Sequence, residues 1–560
     1  MTGFFLDERR LLDGPWQAFE RDVARAFIFA GFKDVRIVGG SGDMGADIVG
    51  AKDGQVWVVQ CKFTSNSSPP RGAVDEVIQA SRFYEAGHLA VATSRAAGGS
   101  FNDELMRASR LGFIVNLLGP AHLMKMVEQV PDYPPSRRPL RPYQADACDR
   151  LYDALCETGR GQIVLATGLG KTVVLAEVAA RLFSSGVLEN RRILVLADKR
   201  ELVRQLQLGF WNQLPKTVPT HLLAPEESPA FWEGVTFATV QTVHARMGTL
   251  PDFDAVFVDE AHHIGSRTYH EVIEGLKAPK LAGVTATPWR GDDFDIDTLL
   301  GQPLTKVGIA DGLRLGYLSE VDYRLLADNI DWDFVQNASL YRYSLTELNK
   351  KLIIPTRDEE AARSIVSVFR SEGRRAGLVF SPSIEHADHF TAMLRLFGLR
   401  AEAMYGSMPA RERDKMLSHF KSGAIDILCT VDLFNEGVDV PDVDLIVFMR
   451  ATHSRRIFVQ QLGRGLRVTA EKDKVIVLDY VTDLRRVAEI SEIERMAQQN
   501  SPTEKLPLGS QLVQFSDRSA GSFLMEWVKD QASLILREGD PTLDLPKFEF
   551  PNVAPHGSIN

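Results

Sequence analysis

The sequence predicts an α/β protein in which a small N-terminal sheet domain precedes two parallel-sheet lobes. Three observations carry that prediction. Short β-branched runs alternate with helical stretches over about 140–300, and again over 361–495, the pattern of parallel sheets. Residues 1–130 form a separate α/β pattern containing a clear hairpin signal. Between them lies PDYPPSRRPLRP at 131–142, whose prolines read as a linker. A chain of 560 residues has room for several such cores.

Composition narrows the class. At 44% hydrophobic and 25% charged residues the chain is of ordinary globular type. No apolar run reaches eighteen residues, so no membrane span is expected, and MTGFFLDERRLL turns charged too early for a secretory signal. Cys61, Cys148, Cys156 and Cys429 show no CxxC pairing, which argues against a zinc ribbon and for a reducing, cytoplasmic setting. The net charge of −10 places any nucleic-acid contact on local basic stripes and backbone amides.

In the N-terminal unit the informative stretch is DMGADIVGAKDGQVWVVQCKF, 43–63. Asp53-Gly54 is a two-residue hairpin signal. With that turn, residue 52 faces 55 and, counting back, Asp47 faces Gln60. Gln60 and Lys62 share a face at i, i+2, while Trp57, Val59 and Cys61 point into a core. One face thus carries Asp47, Gln60 and Lys62. An acid beside a lysine suits metal-dependent phosphodiester cleavage: the carboxylate holds magnesium and the lysine orients the attacking hydroxide. A polar solvent face of a hairpin is the competing reading. Arg71, Arg82, Arg95 and Arg107 are scattered and read as solvated surface.

The next unit, 140–300, opens on QIVLA (162–166), then a Gly-rich turn, then TVVLAEVAARLF (172–183). Strand, loop and helix in that order cradle phosphate with backbone amides at a helix N-terminus. In LATGLGKT, Thr167, Gly168, Leu169 and Gly170 form the loop. Lys171 reaches the β- and γ-phosphates, and Thr172 ligates magnesium. Leu165 stands where the general pattern has its first glycine. Strands follow at RILVLAD (192–198), VTFATV (235–240) and DAVFVDE (254–260). Asp259 ends the last of these, where it can hold magnesium, and Glu260 can polarise a water. His262 is expected to couple nucleotide to nucleic acid; His263 reads as a surface or packing histidine.

Residues 301–360 are irregular and connect to the third unit. Its strands are AGLVFSPS (376–383), DILCTV (426–431), DLIVFM (444–449) and KVIVLDY (474–480). In QQLGRGLR (460–467), Arg464 and Arg467 share a helix face at i, i+3, and their planar donors suit charge developing on a transferring phosphoryl group. A solvated basic face is the bland alternative. Residues 496–560 hold an amphipathic helix around 522–537 and a proline-rich tail.

Taken together, 140–490 resembles a superfamily-two DEAH-box helicase, of the branch with the XPB-like helicases and the motor subunits of type I and type III restriction enzymes. RPYQ (141–144) looks like the adenine-reading motif, with Arg141 and Gln144 placed for the base. LVLADKRELVRQ (194–205) and ATVQTV (238–243) look like strand-contacting motifs, TATP (285–288) like the coupling motif, and LVFSPS (378–383) like motif IV. TVDLFNEGVDVP (430–441) looks like motif V, with Glu436, Gly437 and Asp439 in place. The resemblance implies two RecA-like lobes using ATP and Mg2+, with nucleic acid bound across them. It does not itself imply strand separation.

Residues 15–130 resemble the Mrr-like restriction endonuclease domain, a restriction-endonuclease-like (PD-(D/E)xK) fold, through PWQAFERDVARAFIFAGF, GGSGDMGADIVG, VVQCK and HLAVATS. The resemblance implies an active site of Glu20, Asp47, Gln60 and Lys62, with Glu20 and Asp47 as metal ligands. Gln60 replaces the acid of the general pattern. Read from its helix alone, Glu20 is an ordinary exposed glutamate.

The expected function is an ATP-driven DNA translocase coupled to a Mg-dependent endonuclease, acting in restriction or phage defence. Its expected partners are duplex or branched DNA, a specificity or defence-system subunit, and a second copy of the chain. A repair helicase-nuclease and a DNA-binding ATPase with an inactive nuclease domain are the alternatives.

Overall fold

Asp53 and Gly54 both adopt positive φ, at 52° and 76°, which two-residue hairpin turns of this hand require. They close β2 (Ile48–Lys52) onto β3 (Gln55–Lys62) with Lys52 opposite Gln55 and Ile48 opposite Val59. In this computed structural model the described residues are 3–38, 45–64, 72–286, 296–325, 358–431, 443–449 and 474–480, with short pieces between and beyond. The helix expected at 522–537 lies almost wholly outside them.

The N-terminal helices are α1 (Glu8–Asp13) and α2 (Trp16–Phe29). With β1 (Lys33–Ile37), β4 (His88–Thr93) and β5 (Val115–Leu118), the hairpin makes a five-stranded sheet in the order β1-β2-β3-β4-β5. Strands β1 to β3 run antiparallel, and β3 to β5 are parallel. The period-two alternation of β3 sorts its side chains onto two cores. Val59 and Cys61 pack with Phe19, Val23 and Phe27 of α2. Val58 packs on the other face with Val74, Val77 and Ala80 of α3 (Ala73–Phe83). Helices α4 (Gly99–Arg110) and α5 (Pro120–Gln129) complete this part.

The second sheet has seven strands. Its central ones are β6 (Arg160–Leu165), β7 (Arg192–Ala197), β9 (Gly234–Thr239), β10 (Ala255–Asp259) and β11 (Lys280–Thr285). They are buried along almost their whole length, as expected when helices cover both faces of a parallel sheet. β8 (Thr220–Leu223) and β12 (Pro303–Val307) form the edges, giving the order β12-β6-β11-β10-β7-β9-β8. The covering helices include α6 (Pro142–Glu157), α7 (Lys171–Ser185), α8 (Arg200–Trp211), α9 (Val240–Arg246) and α10 (Arg267–Leu276).

Residues 131–142 do not hang free between these two sheets. Lys216 N donates to Asp132 O at 2.8 Å, and Arg137 Nη2 donates to Glu177 Oε2 at 2.8 Å. The first two sheets belong to one compact unit, and the third sheet to another. That third, six-stranded sheet contains β13 (Glu320–Leu325), β14 (Gly377–Phe380), β15 (Ala401–Tyr405), β16 (Ile427–Val431), β17 (Leu445–Phe448) and β18 (Lys474–Asp479). Part of the irregular 301–360 stretch is thus strand: β12 joins the second sheet, and β13 pairs with β18 in the third. Among the described residues no helix is long and apolar enough to cross a membrane.

Candidate functional site

Gly168 and Gly170 adopt φ of 88° and 83°, a region that only glycine enters freely, and α7 starts at the next residue. A side chain at Gly170 would also collide with Gln144 Nε2. Gln144 is buried in the first turn of α6, where its Oε1 accepts from Arg141 N at 2.9 Å. The adenine-motif glutamine and the phosphate loop therefore lie side by side. Thr172 follows Lys171 in the first turn of the helix.

Opposite this loop, Asp259 ends β10 and Glu260 adopts φ 48°, a left-handed conformation in a residue that is not glycine. Lys171 Nζ donates to Glu260 Oε1 at 2.5 Å. Burial alone would raise the Glu260 carboxyl, but Lys171 and then His262 outweigh it and hold it below the usual carboxylate range. Burial, then the like charge of Glu260, push the Asp259 carboxyl up to about 6. His262 is 1% exposed and spans two elements: its Nδ1 lies 2.9 Å from Thr285 Oγ1 on β11 and 3.3 Å from Glu260 Oε2.

Whether these residues suit magnesium is answered by their donor atoms. Asp259 Oδ1 is buried with no hydrogen-bond partner among the described residues, at the strand end that faces the first turn of α7. A hard oxygen left uncompensated there is what a divalent cation would satisfy. Arg464, Arg467, Gly437 and Asp439 lie outside the described residues.

In the N-terminal sheet the hairpin register carries on to the facing of Asp47 and Gln60 that the sequence suggested. Asp47 N donates to Val59 O at 2.9 Å, and Asp47 Oδ2 accepts from Cys61 N at 2.6 Å. Asp47 and Gln60 are 4% and 5% exposed, too buried for a solvent face of a hairpin. Lys62 Nζ pairs with Glu76 Oε2 at 2.6 Å. Glu20, far from being an exposed helix residue, is buried on α2. It approaches from the Cys61 side: burial first, then the Asp47 and Glu20 carboxylates, push the Cys61 thiol well above its usual value. The four candidates thus reach the sheet from two faces, Glu20 with α2 and Gln60 and Lys62 toward α3. Among the described residues no three His, Cys, Asp or Glu side chains converge as a ready metal cage. The oxygens that fit a cation here are those of Asp47 and the buried, unpartnered Gln60 Oε1.

Sequence reasoning missed two features. Glu76 is one acid among several on an amphipathic helix, and nothing in its spacing from Lys62 marks it. The thread Glu260–His262–Thr285 needs the adjacency of β10 and β11, which the register of Asp259 against Val284 supplies.

Comparisons with known proteins find three family matches along the chain. Residues 11–115 match the family described as "Restriction endonuclease" (Mrr_cat). Residues 137–290 match "Type III restriction enzyme, res subunit", and 360–469 match "Helicase conserved C-terminal domain". Three segments of the chain, in this order, thus match a restriction endonuclease family, a type III restriction enzyme res-subunit family and a helicase C-terminal family. The chain is 24% identical over 393 residues to the type I restriction enzyme EcoAI endonuclease subunit of Escherichia coli, covering 63% of this chain and 47% of that one. It is 24% identical over 439 residues to the DNA 3'-5' translocase XPB2 of Sulfurisphaera tokodaii, covering 70% and 95%. The chain spans about half the length of several curated relatives, 51% and 47% for two of them. Among solved structures, that of the ATP-dependent type ISP restriction-modification enzyme LlaBIII bound to DNA shares the fold. Its TM-score is 0.54 at 14% identity, covering 93% of this chain and 42% of that one.

Proposed function

We propose that this protein is an ATP-driven DNA translocase that moves, or licenses, a Mg-dependent DNA endonuclease in restriction or phage defence. The observation that carries the reading is the presence in one chain of two clusters of shielded charged and polar side chains. One is Lys171–Glu260 with Asp259 at the ends of a parallel sheet. The other is Asp47, Gln60 and Lys62 on a hairpin register that brings them together.

In the motor, Lys171 and Glu260 form an ion pair. The γ-phosphate competes for Lys171, and its departure from Glu260 frees a carboxylate to take a proton from the attacking water as the bond to the leaving ADP oxygen breaks. Thr172 and Asp259 are the residues to hold magnesium, which supplies countercharge to the phosphates. Glu260 also touches His262, and His262 holds Thr285, so the change at Glu260 is felt on the next strand. Arg464 and Arg467 are the candidates for countercharge in the transition state. In the nuclease, Asp47 is the candidate metal carboxylate that the geometry supports, Glu20 is a candidate by the family resemblance alone, and Lys62 orients the attacking hydroxide.

The test is plasmid cleavage with magnesium, with and without ATP, by wild type, Lys62→Ala and Lys171→Ala. Cleavage that requires both lysines fits a motor-licensed nuclease. Cleavage that survives Lys62→Ala removes the nuclease assignment.

A further inference from the structure

Gln60 occupies the position where an acid would complete the carboxylate set, and its surroundings show what replaces that acid. Alternation along β3 turns Val58, Gln60 and Lys62 to one face, and Val58 packs there under Val74 and Val77 of α3. The first turn of α3 carries Glu76, whose Oε2 lies 2.6 Å from Lys62 Nζ. The Asp47 loop arrives at the same place. Gly45, two residues before Asp47, has φ 84° and lies so close to the helix that a Cβ there would collide with the Glu76 carbonyl oxygen. Glu76 is thereby wedged between the Asp47 loop and Lys62. Gln60 Oε1, on that face, is buried and without a hydrogen-bond partner among the described residues. A buried, uncompensated acceptor is costly to leave unpaired, and a bound cation would satisfy it.

We propose that Glu76 supplies the metal-binding carboxylate that Gln60 lacks, so that Asp47, Glu76 and the Gln60 amide oxygen hold the divalent ion of the nuclease site. This rests on the nuclease reading above. Three hard oxygen donors of this kind are what magnesium and manganese take from protein, the remaining positions going to water and a phosphodiester oxygen. A pairing role for Glu76 toward Lys62 alone accounts for the 2.6 Å contact but not for the empty acceptor on Gln60.

The experiment titrates Mn2+ into the nucleotide-free full-length chain, following free Mn2+ by electron paramagnetic resonance, for wild type, Asp47→Asn and Glu76→Gln. DNA-stimulated ATPase activity is the folding control. Glu76→Gln is expected to weaken Mn2+ binding at least about tenfold, as Asp47→Asn does, with ATPase activity retained. Adding Gln60→Glu to Glu76→Gln is expected to restore the binding, by returning an acid opposite Asp47. Weakening in Asp47→Asn alone overturns the role of Glu76 and leaves the nuclease reading standing. Mn2+ binding that neither substitution alters removes the nuclease reading, and the role of Glu76 with it.

Discussion

Lys171 Nζ lies 2.5 Å from Glu260 Oε1, with both side chains mostly shielded from water. Lys171, the candidate phosphate-binding cation, and Glu260, the candidate general base, thus form an ion pair. Breaking a buried pair by removing one partner leaves an uncompensated charge, at a cost of about 3–5 kcal/mol.

Lys171→Ala should abolish ATP turnover, since the phosphates lose their cation and Glu260 its partner. Glu260→Gln keeps shape and hydrogen bonding but cannot take a proton. It should bind a fluorescent ATP analogue about as well as wild type while turnover falls by roughly 10²–10⁴-fold. Steady hydrolysis by either variant would move the catalytic site elsewhere. Arg464→Ala should lower turnover and spare ATP binding, as for a group acting in the transition state.

The buried His262–Thr285 contact, 2.9 Å long, joins the turn after β10 to the end of β11. Thr285→Val keeps the shape and deletes the hydroxyl. The loss of one such bond costs about 0.5–1.5 kcal/mol of stability. The expected phenotype is near-normal basal ATPase activity with DNA stimulation reduced toward basal. Undiminished stimulation would show that coupling bypasses this histidine.

Asp259 yields a pH prediction with a defined sign. Its carboxyl is raised from an ordinary 3.8 to about 6 by burial and then by Glu260. The folded state therefore binds more protons than the unfolded state between those values, and stability falls as pH rises through that window. Asp259→Asn should melt at a higher temperature than wild type at pH 7.5 and at nearly the same temperature at pH 4. ATPase activity should be lost at both. In wild type, kcat/KM should fall as pH drops through about 6, where the carboxylate needed for magnesium becomes protonated. A melting temperature lowered at pH 7.5 by Asp259→Asn would contradict a carboxylate strained by burial.

The sheets, the hairpin register and the phosphate loop were legible because each is written locally. Period-two alternation, an Asp-Gly turn and a Gly-Leu-Gly-Lys-Thr run need no distant partner. Asp47 opposite Gln60 followed from counting alone. What could not be read was set by packing between elements far apart in sequence. Glu76 meets Lys62 because α3 lies across β3. The proline-rich 131–142 reads as a tether by composition, yet Lys216 and Glu177 of the second sheet's layer hold it by hydrogen bonds to Asp132 and from Arg137. Glu20 reads as exposed from an amphipathic helix, but both sides of α2 are covered.

The covering of α2 leads to the last prediction. Arg21, next to Glu20, donates from Nη1 to Glu227 Oε2 at 2.9 Å, and its Nη2 bonds the other oxygen. Arg25 is fully buried and donates to the carbonyls of Val218 and Pro215 at 2.7 and 3.1 Å. Trp211 of α8 packs into the same core as Phe5, Phe27 and Phe29. The first and second sheets are thus joined by a buried seam of paired charges and aromatic packing rather than by a tether. Arg21→Ala strands a buried glutamate and should cost about 3–5 kcal/mol. Arg21→Met with Glu227→Met removes both charges at similar volume and should cost far less. Limited proteolysis reads the difference: Arg21→Ala should release a fragment cut within 131–142 faster than either wild type or the double variant. Equal release from all three would mean that the seam contributes nothing to holding the endonuclease domain on the motor.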